Sequence, residues 1–114
     1  MKAIDLAKFL SGEQQLEGQL AMFALLNLGI VESLDSGELS PSNALRLFYN
    51  ADNCLHVRKT LRDKTADQIM GHGVQLQDLI DALPGDQAQQ EFQRELVAIR
   101  SLCLELLHQH QLAA

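Results

Sequence analysis

Between Gln14 and Ser36 the chain reads QQLEGQLAMFALLNLGIVESLDS, its most apolar run. Leu16, Leu20, Phe23, Asn27, Ile30 and Leu34 follow one another at alternate steps of four and three, the seam spacing of packed helices. Leu25, Leu26, Leu28 and Val31 occupy the remaining faces, which predicts a core helix contacted from several sides. At about 1.5 Å per residue such a helix is roughly 35 Å long. A second seam, Phe92, Leu96, Ile99, Cys103, Leu106 and His110, predicts a helix from Gln87 to about Gln109, with Asp86 as its cap. Two long seams of this kind are expected to lie against each other, within one chain or across a dimer.

The shorter elements are marked mainly by their ends. Ile4, Leu6, Ala7 and Leu10 share a face of a first helix over Lys2 to Leu10, and Ser11 with Gln14 has the spacing of a capping box for the central helix. Asp35-Ser36-Gly37 supplies the glycine that a helix C-terminus favours. Ser40 as N-cap, Pro41 at the first helical position and Leu39 as a staple start a helix running to about Asn50, with Ala44, Leu45, Leu47 and Phe48 inward. Asp52 caps a further helix to about Arg62 that faces Leu55 and Leu61 inward. Thr65 with Gln68 opens a helical turn that Gly71-His72-Gly73 breaks, and Leu76, Leu79, Ile80 and Leu83 line another helix ended by Pro84-Gly85. No segment alternates with period two long enough to read as a strand. The expected fold is all-α: one domain over residues 1–114, a compact bundle of about five to six helices organised on the two long ones, about 14–36 and 87–109.

Composition agrees with helix packing. The only aromatic residues are Phe9, Phe23, Phe48, Tyr49 and Phe92, and tryptophan is absent, so the core is aliphatic and disfavours a β-sandwich. Fifteen acidic against nine basic side chains give a formal charge of −6, which repels nucleic acid and attracts a basic partner. Cys54 and Cys103 form no disulfide framework and read as reduced thiols. Asp5 and Lys8 interrupt any signal-peptide core near the N-terminus, and no run approaches the ~18 apolar residues of a membrane span. A cytoplasmic protein with no membrane partner is expected.

Few residues offer chemistry. His108 and His110 are two apart, as are Cys54 and His56, whereas ligands sharing a helix face stand three or four apart. Structural roles are expected for the histidines, with His72, between two glycines, the most exposed and a contact candidate. Basic neighbours at Arg58 and Lys59 would activate the Cys54 thiol, but no Cys-His-Asn arrangement accompanies it, and a small buried or half-buried thiol is expected. Phosphate-loop, dinucleotide, nucleophile-elbow and zinc-protease motifs are all absent, so neither an enzyme nor a cofactor or metal site is expected. Arg58, Lys59, Arg62 and Lys64 form a basic island in residues 58–64; it reads as a solvated face paired with Asp63 and Asp67, or else as a dock for an anion. Asn27 occupies a seam position among leucines. Such an amide either fixes oligomer register or hydrogen-bonds within the monomer.

ALLNLGIVESLDSGELSPSNALRLFYN (Ala24 to Asn50), GHGVQLQDLIDALPG (Gly71 to Gly85, with Gly73, Leu76 and Asp78 in a Gly-x-x-Leu-x-Asp pattern) and SLCLELL (Ser101 to Leu107) carry a resemblance. Over about residues 24–107 this order of signals resembles a family of small bacterial helical proteins that includes the MafI-type immunity proteins. The resemblance implies an all-α cytoplasmic protein that binds and blocks a toxin made beside it, with no catalytic residues to carry across. An acidic inhibitor suits a basic toxin domain, and the expected partner-binding surface is Glu32, Asp35, Glu38, Asp52, Asp78 and Asp81. The alternative is a structural or regulatory homo-oligomer, such as a homodimer, in which Asn27 sets the register of an intermolecular bundle.

Overall fold

The computed structural model describes residues 2–110. Its helices are α1 (Leu6–Leu10), α2 (Leu16–Asp35), α3 (Pro41–Leu47), α4 (Ala51–His56), α5 (Lys64–Ala82) and α6 (Gly85–Gln109), and α4 runs on into a π-helical turn, Val57–Leu61. No strand occurs among the described residues, so the chain is an all-α bundle. The two expected long helices are α2 and α6, and they pack on each other. Leu20, Phe23, Ile30 and Leu34 are buried from α2, and Phe92, Leu96, Ile99, Cys103 and Leu106 from α6. Each fully buried leucine on such a seam contributes about 2 kcal/mol. Leu16 departs from its seam and is 47% exposed, at the first residue of α2.

α5 is a third long helix, and it corrects the reading of residues 65–83. The chain does not break at Gly71-His72-Gly73; the helix continues through them. Tertiary packing explains why. A Cβ at Gly73 would overlap the Tyr49 ring, so the missing side chain is the space in which that ring lies against α5. The helix starts at Asp63, whose carboxylate accepts from the amide of Ala66 at 2.9 Å, rather than at a Thr65–Gln68 box. Only Leu76 of the expected Leu76–Leu83 face is fully buried. α5 and α6 form an antiparallel hairpin through Leu83-Pro84, and His72 pairs with Glu95 at equal sequence distance from that joint.

Other ends divide between agreement and correction. Ser40 caps α3 by accepting from the Asn43 amide at 3.1 Å with Pro41 behind it, and Gly37 takes φ +81 after α2. Ser11 does not cap α2: its hydroxyl donates to the carbonyl of Lys8, and the Glu13 carboxylate accepts from the Gln15 amide instead. Asn50, not Asp52, caps α4, and α6 begins at Gly85 with no side-chain cap from Asp86. Leu55 is 48% exposed rather than inward, while Asn53, Val57 and Leu61 carry the buried face.

The centre of the bundle is more aromatic than the composition suggested. Phe23, Phe48 and Tyr49 are all buried, and the Phe48 and Tyr49 rings meet edge-on at 5.2 Å. The Tyr49 hydroxyl donates to Asn27 Oδ1 at 2.9 Å, and Asn27 Nδ2 donates to the Phe23 carbonyl at 2.9 Å. Asn27 is fully buried in this single chain, so the within-monomer role holds for it, and its side chain presents no surface through which to set oligomer register. A second buried amide, Asn53, ties the N-terminal segment down: Oδ1 accepts from the Leu6 amide, and Nδ2 donates to the carbonyls of Ile4 and Phe48.

Candidate functional site

On the side of α2 turned away from α6 lies an open groove of about 530 Å³. Leu25, Leu26, Gly29, Ile30 and Ser33 form one wall, and Ile4, Leu39 and Leu47 form the other, with Glu38 at the edge. The loop after α2 makes this second wall, held by the Gly37 turn and by the Leu39 amide donating to the Ser33 carbonyl at 3.0 Å. The Ile4 amide likewise donates to the Leu47 carbonyl at 2.7 Å, which brings the N-terminal segment alongside. Leu25 is 52% exposed, so this face of α2 is not covered as the all-round apolar pattern predicted.

The six carboxylates are all exposed, and they fall in different places. Glu38 edges the groove, and Glu32 stands seven residues beyond Leu25, two turns up the same edge of α2. Asp35 faces α6 instead, accepting from Gln93 Nε2 at 3.1 Å and lying 3.9 Å from the Arg100 guanidinium. Asp52 belongs to a separate cleft of about 500 Å³ with Asp5, Asn50, His56 and Lys59. Ile4 lines both cavities, so the cleft and the groove adjoin. Asp78 and Asp81 lie in the last turns of α5, near the corner of the hairpin, where Asp81 accepts from Gln77 at 2.9 Å.

Several of the other candidates are engaged within the fold. His72 is half-buried in mid-helix and bonded through Nδ1 to Glu95, so it is not the most exposed histidine. Burial pushes the Cys54 thiol up; Arg58 pulls it down and Asp67 pushes it up again, and the net upward direction is that of an unactivated thiol. Burial raises Cys103 to about 12. In the basic island Arg58 faces Asp67 at 3.9 Å, while Asp63 is engaged as the α5 cap, and Arg62 takes a left-handed φ of 52. Among the described residues no three His, Cys, Asp or Glu side chains converge into a group able to hold a metal ion. Nor is any described helix long and apolar enough to cross a membrane.

The groove was the feature that the sequence pattern missed. Its signal was Gly29, a glycine inside a leucine-rich helix at a position off the seam. A Cβ built there meets nothing within 4 Å among the described residues, so their packing does not call for glycine. No protein-family model, curated protein or solved structure matches this chain.

Proposed function

We propose that this chain is a small helical binding protein of the immunity type, which neutralises a toxin in the cytoplasm by covering a basic surface of it. The observation that carries this reading is an open, largely apolar groove with the Glu38 carboxylate on its edge, in a chain of net charge −6. Apolar walls supply contact area, and the negative field draws a basic partner and speeds encounter. The pattern resemblance to MafI-type immunity proteins supports the same reading. Inhibition in this reading is by occlusion, the groove and its acidic edge covering the partner's surface.

The test is affinity capture of the tagged protein from its native cell, joined to co-expression with whatever toxin chain is recovered. Recovery of a toxin whose growth arrest is relieved by this protein, with binding that weakens as salt rises, is the expected result. Lysine at Glu32, Asp35, Glu38, Asp52, Asp78 and Asp81 together abolishes the binding. Recovery of the protein alone, with no relief of any co-encoded toxin, overturns the reading.

A further inference from the structure

Resting on the binding-protein reading, we infer that the partner docks through an amphipathic helix, basic along its flanks, laid in the groove between α2 and the Leu39–Leu47 wall with its closest approach at Gly29. Three observations lead there. The groove is apolar along its length, with Leu25 and Leu26 on one side and Ile4, Leu39 and Leu47 on the other, the form of site into which a helix lays an apolar face. Its edge carries Glu38, and Glu32 follows Leu25 along α2, so the charge that meets an incoming helix beside its apolar stripe is negative. Lysine or arginine on the partner complements that edge, whereas a second copy of this chain would bring another −6 against it.

Gly29 is the third observation. Glycine inside a helix is unfavourable beside alanine, and helices retain it where another backbone must come close. Gly73 shows the intramolecular case, with the Tyr49 ring in the vacant space. At Gly29 nothing among the described residues lies within 4 Å of that space, and the residue forms part of the groove wall with Ser33 one turn on. The Ser33 hydroxyl is turned back onto the Gly29 carbonyl at 2.9 Å, which leaves the wall low between Leu25 and Glu32. A helix crossing there meets no side chain at Gly29.

The probe is a fluorescein-labelled 18-residue helical peptide of Leu, Ala and Lys, with a matched peptide carrying Glu for Lys, measured by anisotropy at low salt and by amide NMR shifts. The basic peptide is expected to bind with shifts confined to residues 25–33 and 38–47, and the acidic peptide is expected not to bind. Gly29→Leu starts from a position where an added Cβ meets nothing within 4 Å among the described residues and projects bulk into the groove, and with the fold checked by circular dichroism it weakens binding at least tenfold. Glu32→Lys with Glu38→Lys does the same, while Asp78→Lys with Asp81→Lys, an equal charge change at the hairpin corner, alters affinity less than threefold. Undiminished binding to Gly29→Leu, or equal loss from both charge pairs, overturns the proposal. So does a wild-type dimer in sedimentation that Gly29→Leu converts to monomer, which would make a second copy the occupant. A toxin captured equally by wild type and Gly29→Leu sinks the groove and leaves the binding-protein reading standing. A peptide mapped to the groove with no toxin recovered does the reverse.

Discussion

The hydroxyl of Tyr49 donates to Oδ1 of Asn27 at 2.9 Å inside the bundle, joining the segment after α3 to the middle of α2. Both groups are buried, and Asn27 Nδ2 is occupied by the Phe23 carbonyl, so removing either partner strands a polar atom away from water. Tyr49→Phe is expected to cost about 1–3 kcal/mol. Asn27→Leu costs a similar amount because it strands the hydroxyl. The double variant loses less than the sum, since both polar groups then leave together. A denaturant double-mutant cycle measures the difference; strict additivity would mean that the bond contributes nothing.

Two glycines two residues apart in α5 should respond with opposite signs. At Gly71 a Cβ meets nothing within 4 Å, so Gly71→Ala gains the helix-propensity difference, about 1 kcal/mol of stability. At Gly73 the added methyl runs into the Tyr49 ring, which is itself fully enclosed and hydrogen-bonded. Gly73→Ala therefore loses about 1–3 kcal/mol to overpacking despite the same propensity gain. Urea midpoints of the two variants on either side of wild type are the expected outcome, and a stabilised Gly73→Ala would remove Tyr49 from its assigned place.

Burial at Cys103 gives the bundle an alkaline limit. The folded thiol is raised to about 12, above its ordinary value, so between about pH 9 and 12 the folded state keeps a proton that the unfolded chain has lost. Unfolding then releases that proton, and stability falls as pH rises through this window, by at most about 1.4 kcal/mol per pH unit. Below the window the contribution is complete. Tyr49, raised by its own burial and then by Cys103, adds to the same trend at its upper end. Cys103→Ala, compared with wild type at pH 8 and pH 10.5, should be penalised less at the higher pH. The same burial makes Cys103 slow towards alkylating reagents at pH 8 compared with half-buried Cys54, unless the protein is unfolded.

Features written locally were legible in the sequence. The α2 and α6 seams appear as spacing, the α3 start as Ser40-Pro41, and the α2 stop as Gly37, because each depends on residues within a turn or two. What failed depended on residues elsewhere in the chain. Gly71-His72-Gly73 reads as a break until Tyr49 is seen against Gly73. Asp63 and Thr65 are both plausible caps for α5, and the carboxylate that reaches Ala66 wins. Leu25 and Leu34 look equally apolar in sequence, yet only Leu34 is buried, since the loop after α2 passes beside Leu25 without covering it. The candidate site was half-legible for the same reason. Glu32 and Glu38 stood out as exposed charge, and the groove that groups them with Gly29 exists only once Ile4 and Leu47 are side by side.

Asn53 holds that second wall in place, and its chemistry admits a sharp test. Its Nδ2 donates to the carbonyls of Ile4 and Phe48 at 2.9 Å each, while Oδ1 takes the Leu6 amide at 3.0 Å. Asn53→Asp keeps the shape and the acceptor but turns the donor into an oxygen facing two carbonyls. At pH 7 the variant should lose about 3 kcal/mol, from two missing hydrogen bonds and a poorly paired buried charge. At pH 4 a protonated carboxyl regains one donor, so the deficit relative to wild type shrinks. Faster amide exchange at Leu6, and earlier proteolysis before α1 than elsewhere, would show that the N-terminal segment has come away from Leu47 and taken the groove wall with it. A deficit that stays the same between pH 7 and pH 4 would mean that the donated bonds are not what holds the segment.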